Sequence, residues 1–154
     1  MSKGGLKILG TISGIKGLEK KLEKFEKETL SRQVEAMQEA TILVHSTAVR
    51  LLQDNSSGTP VRRYNPKRIA IASKPGSAPN TDTGRAVQSI KMDFQKSGLI
   101  GRVGTNLKYL AALEFGTKNI KPRPWLSTAI ALAAKEVNLI FAKALTRAAK
   151  DMKK

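Results

Sequence analysis

The chain lacks cysteine and has a single histidine among its 154 residues. Without cysteine it can form no disulfide, offer no thiol nucleophile and build no cysteine-ligated metal centre. His45 falls within a helical pattern beside Val44 and Ala48, so it reads as a packed or half-exposed helix residue rather than a general base. Acids are scarce, at 12 against 28 lysines and arginines, and half of them lie on one lysine-rich helix, so no carboxylate pair stands out as an acid–base couple. No apolar run approaches the ~18 residues of a membrane span. The leading Met1-Ser2-Lys3-Gly4-Gly5 lacks the apolar core of a signal peptide. These absences set the expectation: no enzyme, no cofactor, no metal, no membrane, and synthesis in the cytoplasm.

Sequence-specific reading of nucleic acid also lacks its usual parts. There is no zinc-finger spacing and no basic zipper, and Tyr64 alone among the basic residues of the middle segment could stack on a base. Gly98, Gly101 and Gly104 do not form a phosphate loop, because no Lys-Ser or Lys-Thr follows them and no helix opens there. They read as turn and strand glycines.

What is present is positive charge. The formal net charge is +16, more than solubility requires, so an anionic surface, above all nucleic acid, is an expected neighbour. Residues 1–53 carry 9 basic and 6 acidic side chains, residues 54–123 carry 13 and 4, and the remainder carry 6 and 2. The middle of the chain is therefore its electropositive part.

The length fits one domain spanning residues 1–154. Residues 6–12 form a short apolar run compatible with an edge strand, closed by Ser13-Gly14. From Ile15 the apolar positions recur at spacings of three and four (Leu18, Leu22, Phe25, Thr29), then shift by one to Leu30, Val34, Met37, Thr41, Val44, Ala48 and Leu51. This predicts an amphipathic helix over residues 15–53 with Ser13 as its N-cap. Such a helix would be about 60 Å long, more than this domain can cover, so either it breaks or part of it packs on another chain. The phase shift near Thr29 and Ser31 marks the place for a bend or a change of partner.

Residues 54–83 change character, with Gly58, Pro60, Pro66, Pro75, Gly76 and Pro79 set among Arg62, Arg63, Tyr64, Lys67, Arg68 and Lys74. This reads as an extended basic arm or loop, with Ile69 to Ile71 as a brief strand. Asp82 or Thr83 then caps a short helix that carries Val87 and Ile90 toward the core. Alternating residues on either side of Lys96-Ser97-Gly98 predict a β-hairpin, with Met92 and Phe94 on one face. Tyr109 leads a short helix or strand burying Leu110, Leu113 and Phe115. The tail, from Pro124 to about Met152, is an Ala- and Leu-rich helix with Ile130, Val137, Ile140, Phe141 and Leu145 on its apolar side and cations at its end, where they suit the macrodipole. The fold class expected is α+β: a small antiparallel sheet packed with a long N-terminal helix and a C-terminal helix, with the extended basic loop between.

The densest information lies in residues 114–126, Glu-Phe-Gly-Thr-Lys-Asn-Ile-Lys-Pro-Arg-Pro-Trp-Leu. Gly116 allows a sharp reversal after Phe115. Pro122 and Pro124 hold Lys121 and Arg123 extended, and Pro124 stands where a helix can begin. Trp125 is the only tryptophan.

Taken with Thr83-Gly84-Arg85 through Ser89-Ile90, the hairpin, and Tyr109-Leu110-Ala111-Ala112-Leu113 before Glu114-Phe115-Gly116-Thr117, this block resembles the neck or tail-completion proteins of long-tailed bacteriophages, the gene-product-ten-like family of the HK ninety-seven type. Order and spacing agree from about residue 75 to about residue 132. The chain departs in placing Ala111 one residue further from Tyr109, in Trp125 where phenylalanine is usual, and in Ser127-Thr128 where a proline is common. The resemblance implies a virion protein of the head–tail junction. It would be a ring, expected as a hexamer, between the capsid connector or stopper and the tail terminator or tail tube, with genomic DNA passing through the lumen without sequence readout. It further implies that Glu114, Phe115, Gly116, Thr117, Arg123, Pro124 and Trp125 form or support the subunit contact. Arg62, Arg63, Lys67 and Arg68 would line the lumen or clasp an adjacent ring. A free, non-sequence-specific DNA-binding protein is the alternative that the charge suggests.

Overall fold

The computed structural model describes residues 15–54, 58–64 and 67–151. The edge strand expected at residues 6–12, the Ser13 cap, Pro66 and Met152 lie outside the described residues.

The fold is α+β. Helix α1, Ile15–Gln53, runs unbroken through the expected bend near Thr29 and Ser31. What ends near there is the cover given by α4. Helix α4, Leu126–Asp151, packs along the later part of α1, and its Asp151 meets Arg32 at 3.0 Å, so residues 15–31 run past its described end. Threonine 81 closes the other end of α1, its Oγ1 donating to the Leu52 carbonyl at 2.6 Å.

The two long helices meet chiefly through small side chains. Ala129, Ala133, Ala144 and Ala148 of α4 are buried, as are Ala36, Ala40 and Ala48 of α1. Alanine lets backbones approach closely and keeps helix propensity high. This changes the expected apolar side of α4: Ile140 is buried and Val137 and Phe141 are half-buried, whereas Ile130 and Leu145 face outward. The large residues flank the seam that the alanines make.

Two hairpins complete the fold as two separate two-stranded antiparallel sheets. The stretch expected as an extended basic arm or loop pairs with itself: β1, Gly58–Tyr64, runs against β2, Lys67–Ser73, in a register that sets Val61 opposite Ala70 and Arg62 opposite Ile69. Its second strand contains the brief strand expected at Ile69 to Ile71. The second hairpin, β3 (Ile90–Phe94) with β4 (Gly101–Thr105), turns at Gly98, whose φ of +70° is a glycine conformation. It lies on α1 at two glycines: a Cβ on Gly98 would stand 2.7 Å from Val34 Cγ1, and one on Gly101 would collide with Thr41 Oγ1. Ile90, Met92 and Phe94 share a face by strand alternation, with Ile90 buried, Phe94 half-buried and Met92 exposed.

Helix α2, Arg85–Ser89, begins after Gly84 at φ +75° with no side-chain cap. Asp82 and Thr83, expected as caps, instead lie in the approach, where Asp82 pairs with Arg63 at 3.4 Å. Helix α3, Lys108–Phe115, buries Leu110 fully and Leu113 partly. Phe115, expected inside, is 81% exposed. Five residues at 100° each place it about 140° around the helix from Leu110, so one short helix cannot bury both against the same core.

Candidate assembly clamp

The main core gathers Ala48 and Leu52 of α1, Ala86 of α2, Ile90 of β3, Leu110 of α3 and Ala129 of α4 around Trp125. Trp125 is 2% exposed, and its indole Nε1 donates to the Leu110 carbonyl at 3.3 Å. A side chain enclosed in this way cannot touch a neighbouring subunit. Of the two roles expected for it, forming or supporting a contact, only support is left.

Glu114 caps α4. Its Oε2 accepts from the backbone N–H groups of Trp125 at 2.7 Å and Leu126 at 3.0 Å, and its Oε1 accepts from Ser127 at 2.9 Å. The first N–H groups of a helix lack internal partners, and a carboxylate there also meets the positive end of the macrodipole. Pro124 does not begin the helix itself; the helix starts at Leu126 because the cap is supplied from α3, eleven residues upstream of Trp125. Burial pushes the Glu114 carboxyl up. The hydrogen bonds from the Ser127 hydroxyl and from the N–H groups of Trp125, Ser127 and Leu126 together outweigh it and hold the pKa below the ordinary glutamate value.

Between α3 and the capped α4, residues 116–122 form a loop pinned at both ends. Gly116 sits at φ +76°, ψ 176°, a region open to glycine alone in practice, and a Cβ there would meet the Ile120 oxygen and Pro122 Cδ at 2.9 Å. Thr117 and Ile120 exchange backbone hydrogen bonds of 2.8 and 3.2 Å. Arg123 N–H donates to the Leu113 carbonyl at 2.7 Å, and Gly76 N–H donates to the Pro122 carbonyl at 2.9 Å. Phe115, Thr117, Lys118, Asn119, Ile120 and Lys121 are exposed on this frame. Arg123 and Pro124 are half-buried, and Arg123 Nε is enclosed with no hydrogen-bond partner among the described residues. Arg123 lines a cavity of about 370 Å³ beneath the basic hairpin, together with Arg63 and Arg85.

The four basic residues expected at the lumen all belong to the first hairpin. Arg62, Arg63 and Lys67 are exposed, and Tyr64 at its tip is 82% exposed. The Arg68 backbone pairs with Arg63, and its side chain lies outside the described residues. Arg63 pairs with Asp82. The hairpin and the 116–122 loop are thus separate features, and the loop is tied at Pro122 to Gly76, three residues beyond the end of β2. Neither the capping role of Glu114 nor the alanine seam was read from the sequence. The signal for the cap was there: a glutamate shortly before Pro-Arg-Pro-Trp, where a helix start lacks its own Ser, Thr, Asp or Asn in the preceding position.

His45 is half-buried, with Nε2 3.4 Å from the Ile90 carbonyl. Among the described residues no group of three or more carboxylates and imidazoles is placed to hold a metal ion, and no helix is long and apolar enough to cross a membrane. No family model, curated protein or solved structure matches the chain at a significant level.

Proposed function

We propose that the chain is a structural subunit of the phage neck, a tail-completion or head–tail joining protein that assembles as a ring, expected as a hexamer, around the DNA channel. The capsid connector or stopper lies on one side and the tail terminator or tube on the other. The observation that carries this reading is Phe115 at the end of α3, beside the pinned 116–122 loop. An aromatic side chain at 81% exposure is held on a frame fixed by the Glu114 cap, Gly116 and the Gly76–Pro122 bond. Aromatic and arginine side chains are common interface anchors, and a loop ordered before contact loses little entropy on binding. Phe115, Thr117 and Arg123 make the contact, while Glu114, Gly116, Pro124 and Trp125 hold them in place. Resemblance to the neck family supplies the biological setting. Native mass measurement and negative-stain imaging, alone and with connector and tail-tube proteins added, should show rings; monomers under every condition would contradict the reading.

The exposed hairpin favours a second reading, a non-sequence-specific DNA-binding protein. Phosphates would pair with Arg62, Lys67 and their neighbours, and log K would fall steeply with log salt, by roughly 0.9 per phosphate contact. Tight, salt-steep binding by the isolated monomer supports this second reading. Weak monomer binding supports the ring.

A further inference from the structure

The part of α1 that runs past α4 carries an apolar stripe that, among the described residues, is left largely exposed. Over residues 15–31, about 25 Å of helix, Ile15, Leu18 and Leu22 are 46%, 59% and 54% exposed, and Phe25 is half-buried. Their spacing of three, four and three is the a/d seam of a heptad: Ile15 and Leu22 at a, Leu18 and Phe25 at d. Glu19 and Glu26 then fall at e and Lys21 and Glu28 at g, while Gly17 falls at c, away from the seam. The same segment holds five lysines and four glutamates. That near balance fits a solvated helix pair better than a lipid surface, which favours an excess of lysine.

We infer that this segment pairs with the same segment of a second copy of the chain, parallel and in register. Charge selects that occupant and that direction. In a parallel pair each g residue faces the e residue five positions on in the partner copy, which sets Lys21 against Glu26 on both sides of the seam. Antiparallel pairing sets e against e, where both positions are glutamate, a repulsion that a Lys21–Glu28 contact of g against g at most offsets. Two and a half heptads give a weak pair, strengthened where another contact already holds two copies together. The inference rests on α1 alone and not on the neck assignment.

The absence of cysteine makes a trapping experiment clean. In the full chain, Leu18→Cys under mild oxidation should give a disulfide-linked dimer, whereas Lys24→Cys, off the seam, should not. Adding Lys21→Glu should lower the trapped fraction about tenfold, since two attractive pairs become two repulsive ones. Adding Glu26→Lys to that variant should restore it. Helical circular dichroism should stay unchanged throughout. The inference is overturned by equal trapping at positions 18 and 24, by no response to the charge reversal, or by preferred cross-linking of Leu18→Cys to a Leu22→Cys copy, which marks antiparallel packing. It is also overturned if Leu18→Cys gives no dimer until residues 1–14 are deleted, which assigns the seam to the chain's own leading segment. Finally, it is overturned if the undimerised protein sediments with phosphatidylserine vesicles through this helix.

Discussion

Replacing Glu114 by alanine removes three charge-assisted hydrogen bonds at once and leaves the N–H groups of Trp125, Leu126 and Ser127 without their acceptor. Losing an ordinary N-cap costs about 0.5–2 kcal/mol. Hydrogen bonds to charged groups are worth roughly 1.5–3 kcal/mol each but do not add within one cluster. Water can reach the Ser127 end, which is exposed, and cannot replace the carboxylate well at Trp125. A total of about 2–3 kcal/mol follows, or roughly 5–10 °C in Tm for a domain of this size. The effect depends on pH with a defined sign. The folded pKa lies below the ordinary value, so the carboxylate's stabilisation is fully present above that ordinary value and is lost as pH falls through the folded pKa. Urea unfolding followed by circular dichroism at pH 7 and at pH 3 should therefore show the wild type and Glu114→Gln converging at the lower pH, with Gln the less stable at pH 7. A difference under about 0.5 kcal/mol at pH 7, or one that persists undiminished at pH 3, would refute the capping argument.

Gly116→Ala should cost about 1–3 kcal/mol in thermal unfolding, because a Cβ meets backbone there and the φ/ψ region excludes it. Trp125→Ala should cost about 3–5 kcal/mol in urea unfolding through the cavity it leaves, whereas Trp125→Phe should retain much of the packing and lose the bond to the Leu110 carbonyl. Gly101→Val should disturb the seat of the second hairpin on Thr41 and raise hydrogen exchange in β3 and β4. Arg62→Glu with Lys67→Glu should leave the unfolding free energy within about 0.5 kcal/mol of wild type, as expected for exposed residues, while flattening the salt dependence of any DNA binding.

The helices were legible where spacing is regular. The three-and-four recurrence from Ile15 to Leu51 located α1, and Gly98 located the turn of the second hairpin. The first hairpin was hidden because Gly58, Pro60 and Pro66 mask strand alternation, and pairing between Val61 and Ala70 is a property of two strands together. The inner face of α4 was misjudged because size was taken for burial: close helix packing selects alanine, and Ile130 and Leu145 are displaced outward. In the 114–126 block the residues that matter were evident, but their division of labour was not. No local rule tells a core tryptophan from an interface tryptophan; the shell of Leu52, Leu110 and Ala129 around Trp125 comes from elements far apart in the chain.

The central claim is that the clamp holds Phe115 outward for a neighbouring subunit. Native mass measurement of Phe115→Glu beside the wild type, with thermal unfolding of both, tests it most directly. The expected result is an unchanged Tm, since the side chain makes little intrachain contact at 81% exposure, together with loss of the ring. A Phe115→Glu protein that forms rings as readily as the wild type would contradict it.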